Sequence, residues 1–290
     1  MRDHTETGDH WRAPAPDGAF TQHTRVRSYE VGRVGTIGLG TVLRYFESLA
    51  TEASAHLGFD HHWYERNGSA WVVRDFDLRL GALPGIGADL SLATWVADAG
   101  RVQARREYLA RRRDTEHVVA RASARWAYVD RARGQLTRLQ DDLAAGIPLL
   151  GRAMPVRHLS IPPDTPTATS GDLALEAREY EADTQRHINN CVYADWLAEG
   201  ITRAFAASDL EQYRRGHDGG AGSGRVARPR SYHIEYVRPA LPGALVRIHT
   251  DVFPAGKRAW LVAQTIAAAT DGAPYVRAIS RHLTPARRQD

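Results

Sequence analysis

Apolar positions recur at helical spacing in two places, one in each half of the 290-residue chain. In the first half they follow a spacing of three or four over residues 39–57, which predicts an amphipathic helix. In the second half Tyr193, Leu197 and Ile201 lie four residues apart and predict a helix over residues 190–205. The chain therefore has one long helix in each half.

Segments of strand character follow each predicted helix. They cover residues 71–80, 89–96, 101–112 and 117–130 in the first half, and 230–238, 244–253, 258–269 and 275–283 in the second. Residues 24–29 and 173–180 are predicted as the opening strand of each half. A helix followed by a meander of long strands is typical of an antiparallel sheet with a helix lying across it, so the pattern predicts an α+β fold.

The two halves also resemble each other in sequence. Residues 39–46 correspond to residues 189–196 at an offset of 150, and residues 121–125 correspond to residues 277–281 at an offset of 156. This near-constant spacing indicates duplication of one structural unit.

We therefore divide the chain into four parts. These are a Pro- and Gly-rich tail predicted to be disordered (1–20), an N-terminal domain (21–144), a linker (145–171) and a C-terminal domain (172–290). A Gly-rich stretch at residues 214–230 is predicted to be a mobile loop.

Composition narrows the class of protein. The chain is 43% hydrophobic and 25% charged, which is ordinary for a globular protein. Its single cysteine, Cys191, excludes an internal disulfide and favours a reducing compartment, so we expect the cytoplasm. No run is apolar enough to span a bilayer, and the first twenty residues do not resemble a secretory signal. The net charge of +4 is modest, and basic runs within strand-like segments favour a solvated face over nucleic-acid binding. Zinc-ligand spacing, a P-loop and a dinucleotide fingerprint are all missing, so no metal or organic cofactor is expected.

The candidate chemistry lies just before the second helix. Asp183, Gln185 and His187 occupy alternate positions, so in extended chain their side chains would point the same way. Asn189 and Asn190 then open the helix, where asparagine is a favoured cap and backbone N–H groups lack helical partners. A polar trio beside a helix N-terminus can activate a water molecule and hold a developing oxyanion. The pattern therefore predicts attack on a carbonyl group.

These residues resemble the acyl-acyl-carrier-protein thioesterase family, whose second half carries Asp-x-Asn-x-His-x-Asn-Asn before a helix with Tyr and Trp. The matching positions here are Asp183, Gln185, His187, Asn189 and Asn190, followed by Tyr193 and Trp196. Segments 70–74, 93–96 and 125–129 are also similar, and the resemblance spans residues 25–284. It implies two tandem hotdog domains, each a long central helix wrapped by a curved antiparallel sheet.

The resemblance also implies an activity, the hydrolysis of acyl thioesters. His187 would act as general base, Asp183 would position it or the water, and Gln185 with the helix-opening amides would hold the oxyanion. The substrate would arrive on the phosphopantetheine arm of acyl carrier protein or coenzyme A. The product would be a fatty or polyketide-derived acid, and homodimerisation is left open.

Two departures from the family pattern bear on this expectation. Gln185 replaces the family's Asn, and Pro239-Ala240 replaces a Glu-Cys pair that follows the strand ending in Glu-Tyr-x-Arg. Neither replacement residue can act as acid, base or nucleophile. The chain must therefore do without the family's supporting carboxylate or use Glu235 or Glu181 instead.

Other interpretations of the same residues stay open. Asp183 could simply cap a turn, Asn189 and Asn190 could serve only as helix caps, and Cys191 is better explained as a small buried residue than as a nucleophile. A hotdog hydratase or dehydratase would place one more residue between the Asp and the His. A non-catalytic acyl-binding or carrier-docking protein would fit the Pro239-Ala240 replacement.

The first half serves as an internal control for the site. At the offset of 150 the four positions of Asp183, His187, Asn189 and Asn190 correspond to positions that carry no acid–base trio. Those positions are Arg33, Ile37, Leu39 and Gly40. We therefore expect one active site per chain, in the C-terminal half.

Overall fold

The computed structural model describes residues 9–155, 159–206, 228–257 and 259–283. The chain divides into two compact units, Met1–Arg157 and His158–Asp290. The division falls within residues 145–171, which the sequence predicts as a linker. Predicted features at residues 1–8, and most of the predicted mobile loop at 214–230, lie outside the described residues.

The first unit is an antiparallel sheet with one long helix. Its elements are α1 (Asp9–Arg12), β1 (Phe20–Arg25), α2 (Leu39–His56), α3 (His61–Arg66), β2 (Ser69–Leu80), β3 (Asp89–Ala99), β4 (Gln103–Arg112), β5 (Val118–Asp130) and α4 (Asp141–Gly146). The strand order is β1-β3-β4-β5-β2, with every pair antiparallel. The buried ring of Phe46 on α2 stacks on Tyr108 of β4 with centroids 4.9 Å apart, so the core lies between helix and sheet.

The second unit repeats this arrangement. Its elements are β6 (Thr169–Glu176), α5 (Asn190–Ala206), β7 (Arg228–Tyr236), β8 (Leu245–Pro254), β9 (Ala259–Ala268) and β10 (Pro274–Leu283). The strand order is β7-β10-β9-β8-β6, again antiparallel throughout. Ile201 and Phe205 of α5 pack against Val252 and Val262 of the sheet. The predicted α+β class, with a helix across an antiparallel sheet in each half, is confirmed.

The opening strands differ from the prediction by the same amount in both units. β1 and β6 begin at Phe20 and Thr169, four residues before the predicted starts. The C-terminal part of each predicted strand is instead a 3-10 turn, Ser28–Glu30 and Glu179–Glu181. The last glutamate of each turn accepts the backbone N–H three residues earlier, which curls the chain out of the extended conformation.

The N-terminal segment is more ordered than the sequence suggests. Residues 1–20 are predicted to be disordered, yet residues 9–12 form α1 and residue 20 already belongs to β1. Arg111 Nη2 donates to the carbonyls of Arg12 and Ala13, and Arg121 Nη1 donates to the Ala13 carbonyl at 2.9 Å. Two strand arginines thus hold this segment, a long-range effect that local composition does not reveal.

The structural repeat has a slightly different register from the sequence repeat. α2 begins at Leu39 and α5 at Asn190, 151 residues apart rather than 150. The Arg-x-Tyr-Glu sequence at residues 27–30 recurs at residues 178–181 with the same spacing of 151 residues. This local repeat indicates the structural register more accurately than the offset of 150.

The offset of 151 changes which residues of the first unit correspond to the candidate site residues. The counterparts of Asp183, His187, Asn189 and Asn190 are Gly32, Thr36, Gly38 and Leu39, rather than Arg33, Ile37, Leu39 and Gly40. The first unit therefore still lacks the acid–base trio.

Candidate active site

The residues before α5 close into a narrow loop. Ala182 and Ile188 form an antiparallel bridge at its base. Within it the Asp183 N–H donates to the His187 carbonyl at 2.8 Å, and the Arg186 N–H donates to the Asp183 carbonyl at 2.9 Å. Arg186 has a φ of 63°, in the left-handed region, and completes the reversal of the chain.

The loop contradicts the expectation that residues 183–187 are extended and that their alternate side chains point the same way. Because the backbone reverses within residues 183–187, alternate side chains do not share a face by strand alternation. Asp183 and His187 are partly buried and are brought together across the loop by their backbones, whereas the Gln185 side chain is exposed. The loop therefore unites Asp183 with His187 and leaves Gln185 at its tip.

Asp183 also has a local structural role. Its Oδ1 accepts the Gln185 N–H at 2.8 Å, which is the hydrogen bond of an Asx turn. The interpretation of Asp183 as a turn cap is therefore correct for its Oδ1 atom. The other oxygen is not used by this turn.

The loop is fastened directly to the start of α5. Asn189 Oδ1 accepts the Cys191 N–H at 2.8 Å and its carbonyl accepts the Val192 N–H, so Asn189 is the helix cap, as the sequence predicts. Asn190 is the first helical residue, and its carbonyl accepts the Tyr236 hydroxyl. Since Asn189 occupies two first-turn amides, the Asn190 N–H is the helix-opening donor left for a ligand among the described residues.

Tyr193 joins the helix to the segment that departs from the family pattern. Its hydroxyl oxygen accepts the Ala240 N–H at 2.7 Å, while the Ala240 carbonyl accepts the Ile188 N–H at 3.0 Å. Burial raises the pKa of Tyr193 to about 12, with smaller contributions from Tyr275 and Asp183. A neutral phenol thus lies near Asp183. The fully buried Ala240 serves the site through its backbone alone.

Glu181 braces the loop. Its Oε2 accepts the Arg178 N–H at 2.8 Å, and its Oε1 accepts the indole N–H of Trp196 at 3.3 Å. In the first unit Glu30 makes the same pair of contacts, to the Arg27 N–H and to the Tyr45 hydroxyl. Because the brace recurs where the acid–base trio is missing, Glu181 is explained by structure rather than as a substitute catalytic carboxylate.

Glu235 is placed away from the loop. Its neighbours Ile234 and Tyr236 on β7 are buried, and Tyr236 reaches the start of α5. Successive strand residues point to opposite faces, so Glu235 lies on the other face of the sheet. There its side chain is 45% exposed and pairs with Arg277 at 3.4 Å. The expectation that Glu235 supports the site is therefore wrong.

Three further observations concern Cys191, metal ligands and membrane-spanning helices. Cys191 is buried within the first turn of α5, as expected for a small apolar residue. Among the described residues no cluster of three His, Cys, Asp or Glu side chains is arranged to hold a metal ion. Nor is any helix in the described part of the chain long and apolar enough to cross a membrane.

The fold and the loop together define the class of this protein. Each unit is a long helix across an antiparallel sheet, the hotdog arrangement, and only the second carries Asp and His at the helix entrance. Residues 17–147 match the model of the acyl-ACP thioesterase N-terminal domain, and residues 178–285 match that of the thioesterase-like superfamily. The first half of the chain is therefore similar to acyl-ACP thioesterases, and the second half is similar to the wider thioesterase-like superfamily.

Individual relatives agree with these two matches. Over 213 residues the chain is 26% identical to acyl-[acyl-carrier-protein] hydrolase FATB2, chloroplastic, from Cuphea viscosissima, covering 68% of this chain and 52% of the relative. It is 27% identical over the same length to a palmitoyl-acyl carrier protein thioesterase, chloroplastic, from Cuphea hookeriana, covering 68% and 51%. The chain thus spans about half the length of the curated relatives it matches.

A solved structure supports the fold. The 12:0-ACP thioesterase from Umbellularia californica superposes with a TM-score of 0.73 at 17% identity, covering 92% of this chain and 94% of that one.

Proposed function

We propose that this chain hydrolyses acyl thioesters carried on the phosphopantetheine arm of acyl carrier protein or coenzyme A. The observation that carries the proposal is the loop that sets His187 beside Asp183 at the entrance to α5. The similarity of both halves to thioesterases supports the same chemistry. The products are free acids of fatty or polyketide origin.

The loop suggests how each step proceeds. His187 accepts a proton from a water molecule as the water oxygen attacks the thioester carbonyl carbon. The negative charge of Asp183 favours the imidazolium that forms. The tetrahedral oxyanion then collapses, the C–S bond breaks, and the imidazolium returns its proton to the departing thiolate. Water supplies the hydroxyl of the acid, so the step needs no other reactant.

In this proposal one backbone amide of the first turn of α5 donates to the oxyanion. Asn189 engages the amides of Cys191 and Val192, which leaves the Asn190 N–H to donate to the oxyanion. The helix dipole of α5 adds to this amide, because the oxyanion develops at the positive end of a 17-residue helix. Gln185 is exposed at the loop tip, so its carboxamide is suited to contact the incoming substrate from the solvent side.

The direct test is release of free thiol from acyl-ACP and acyl-CoA over a series of chain lengths. His187→Ala should lower kcat by about 10²–10⁴ without loss of folding, since that is the usual contribution of a general base. His117→Ala, at an exposed position in the first unit, is the matched control and should leave the rate unchanged. A His187→Ala rate close to that of the parent would refute the assignment.

A second function is supported by one observation. Pro239-Ala240 stands where the family carries a Glu-Cys pair, and Ala240 contributes only backbone hydrogen bonds. An acyl-binding protein without turnover would need no more than this. Saturable binding of an acyl thioester with no thiol released from either carrier would favour that function over hydrolysis.

A further inference from the structure

The first unit contains a cavity of about 370 Å³, away from any residue of the proposed site. It lies where β1 begins, beside the C-terminal end of α2 and the segment after α4. Its wall is mostly apolar and includes Phe20, Ala53, Val96, Ile147 and Leu150. Cavities of this size accommodate small organic molecules, and this one has room for on the order of a dozen water-sized groups.

One arginine lines this mostly apolar wall, together with the imidazole of His56. Arg106 on β4 contributes to the cavity, and the only hydrogen bond of its side chain in the described structure is a long one, 3.4 Å from Nη1 to the Thr94 hydroxyl. Thr94 donates its own proton to the Glu107 carbonyl at 2.8 Å, so its oxygen is oriented to accept from Arg106. Thr94 thereby holds the guanidinium in place and leaves most of its N–H groups without a protein acceptor.

The surroundings of Arg106 do not neutralise its charge. Among the described residues no carboxylate lies within ion-pair distance of it, and the adjacent Glu107 points to the opposite face of the strand, where it binds Ser123 and the Met154 N–H. Burial lowers the pKa of Arg106, and only the phenols of Tyr108 and Tyr64 oppose this effect. A guanidinium still remains charged at neutral pH, and a partly buried charge without a partner is costly.

We propose that this cavity binds an aliphatic monocarboxylate, with the carboxylate on Arg106 and the chain along the apolar wall. A planar guanidinium offers two parallel N–H groups that match the two oxygens of a carboxylate. One negative charge neutralises the one unpaired positive charge. The apolar wall disfavours a phosphate dianion, whose third oxygen and second charge would remain unpaired.

Titration calorimetry on the full chain with octanoate and octan-1-ol tests this proposal. The two probes have chains of equal length and differ in the charged head group. Octanoate should bind at least tenfold more tightly than the alcohol, and Arg106→Leu should abolish that difference. Arg106→Lys should keep part of it, because the charge remains but the two-pronged geometry is lost.

A control variant locates the binding site. Arg74→Leu removes an exposed strand arginine of the same unit and should leave octanoate affinity unchanged. Parent-like octanoate binding by folded Arg106→Leu and Arg106→Lys, or no saturable binding by the parent, would overturn the proposal.

Discussion

At the scale of single residues, the loop around the proposed base contains a conformation that arginine rarely adopts. Arg186 has a φ of 63°, and its counterpart in the first unit, Gly35, has a φ of 76°. The left-handed region costs a non-glycine residue about 1–2 kcal/mol. Both units thus have the same turn, but the second unit forms it with a strained arginine directly before His187, whereas the first unit uses an unstrained glycine.

Asp183 can be tested for its charge separately from its turn. In Asp183→Asn the side-chain oxygen can still accept the Gln185 N–H, so the Asx turn and the loop should be retained. The neutral amide cannot stabilise an imidazolium, and we expect kcat/KM for thioester hydrolysis to fall at least tenfold. Values within about threefold of the parent would limit Asp183 to its structural role.

Gln185 distinguishes a family-like site from a specialised one. Gln185→Asn restores the amide that the family carries, one methylene shorter, at an exposed position of the loop. Because no backbone hydrogen bond of the loop depends on this side chain, we expect unchanged thermal stability and an equal or higher rate of hydrolysis. A rate loss corresponding to about 1–3 kcal/mol, with unchanged melting temperature, would instead show that the longer amide contacts the substrate.

At the scale of elements, the close approach of α5 to its sheet depends on Gly200. A Cβ there would lie 2.9 Å from Ile248 Cγ2 and 3.0 Å from both Gln264 Nε2 and Thr250 Oγ1. The last two atoms belong to a buried network in which Gln264 Nε2 also donates to the Leu197 carbonyl at 2.9 Å. The small residue therefore sets the distance between helix and sheet.

Gly200→Ala should destabilise the second unit despite the better helix propensity of alanine. We expect the free energy of unfolding to fall by about 1–3 kcal/mol, because the backbone or the Gln264 network must shift. Denaturant unfolding measures this change, with the adjacent exposed Glu199→Ala as control, for which about 0.5 kcal/mol or less is expected. Equal midpoints for Gly200→Ala and the parent would mean that the helix can move away freely.

The elements also show where local patterns succeed. Both long helices begin at the predicted residues, since apolar periodicity reports directly on a buried helix face. The short helices α3 and α4 are too brief for a periodic signal and were not predicted. α3 does carry a local signature, because the Asp60 side chain caps it by accepting the Trp63 N–H at 2.7 Å.

At the scale of the whole molecule, one buried carboxyl links folding to pH. Glu107 is fully buried, with Ser123 and the Met154 N–H donating to its two oxygens. Burial raises its pKa to about 7, although both hydrogen bonds and the positive charges of Arg105 and Arg121 oppose that rise. The folded state therefore holds a proton that the unfolded chain releases near pH 4.5.

The sign of the effect follows from this difference. The stabilising contribution of protonated Glu107 is complete below pH 4.5 and is lost as the pH rises to about 7. Glu107→Gln, which cannot ionise, should lack this loss. Its stability relative to the parent should increase by on the order of 3 kcal/mol between pH 4.5 and 7.5 in denaturant unfolding. The exposed Glu116→Gln serves as control, and parallel pH profiles for Glu107→Gln and the parent would contradict the prediction.

The sequence by itself determined the duplicated α+β plan, the two long helices and the placement of the candidate residues before the second helix. These follow from spacing along the chain, which is local information. Only the tertiary structure decided that residues 183–187 form a closed loop, that Gln185 is exposed, and that Glu235 faces away. The loop closes through backbone hydrogen bonds among residues 182–188, and the Ile188 N–H also donates to the distant Ala240 carbonyl. The face on which Glu235 lies follows from the pairing of β7 within the sheet. No spacing rule encodes contacts of that kind.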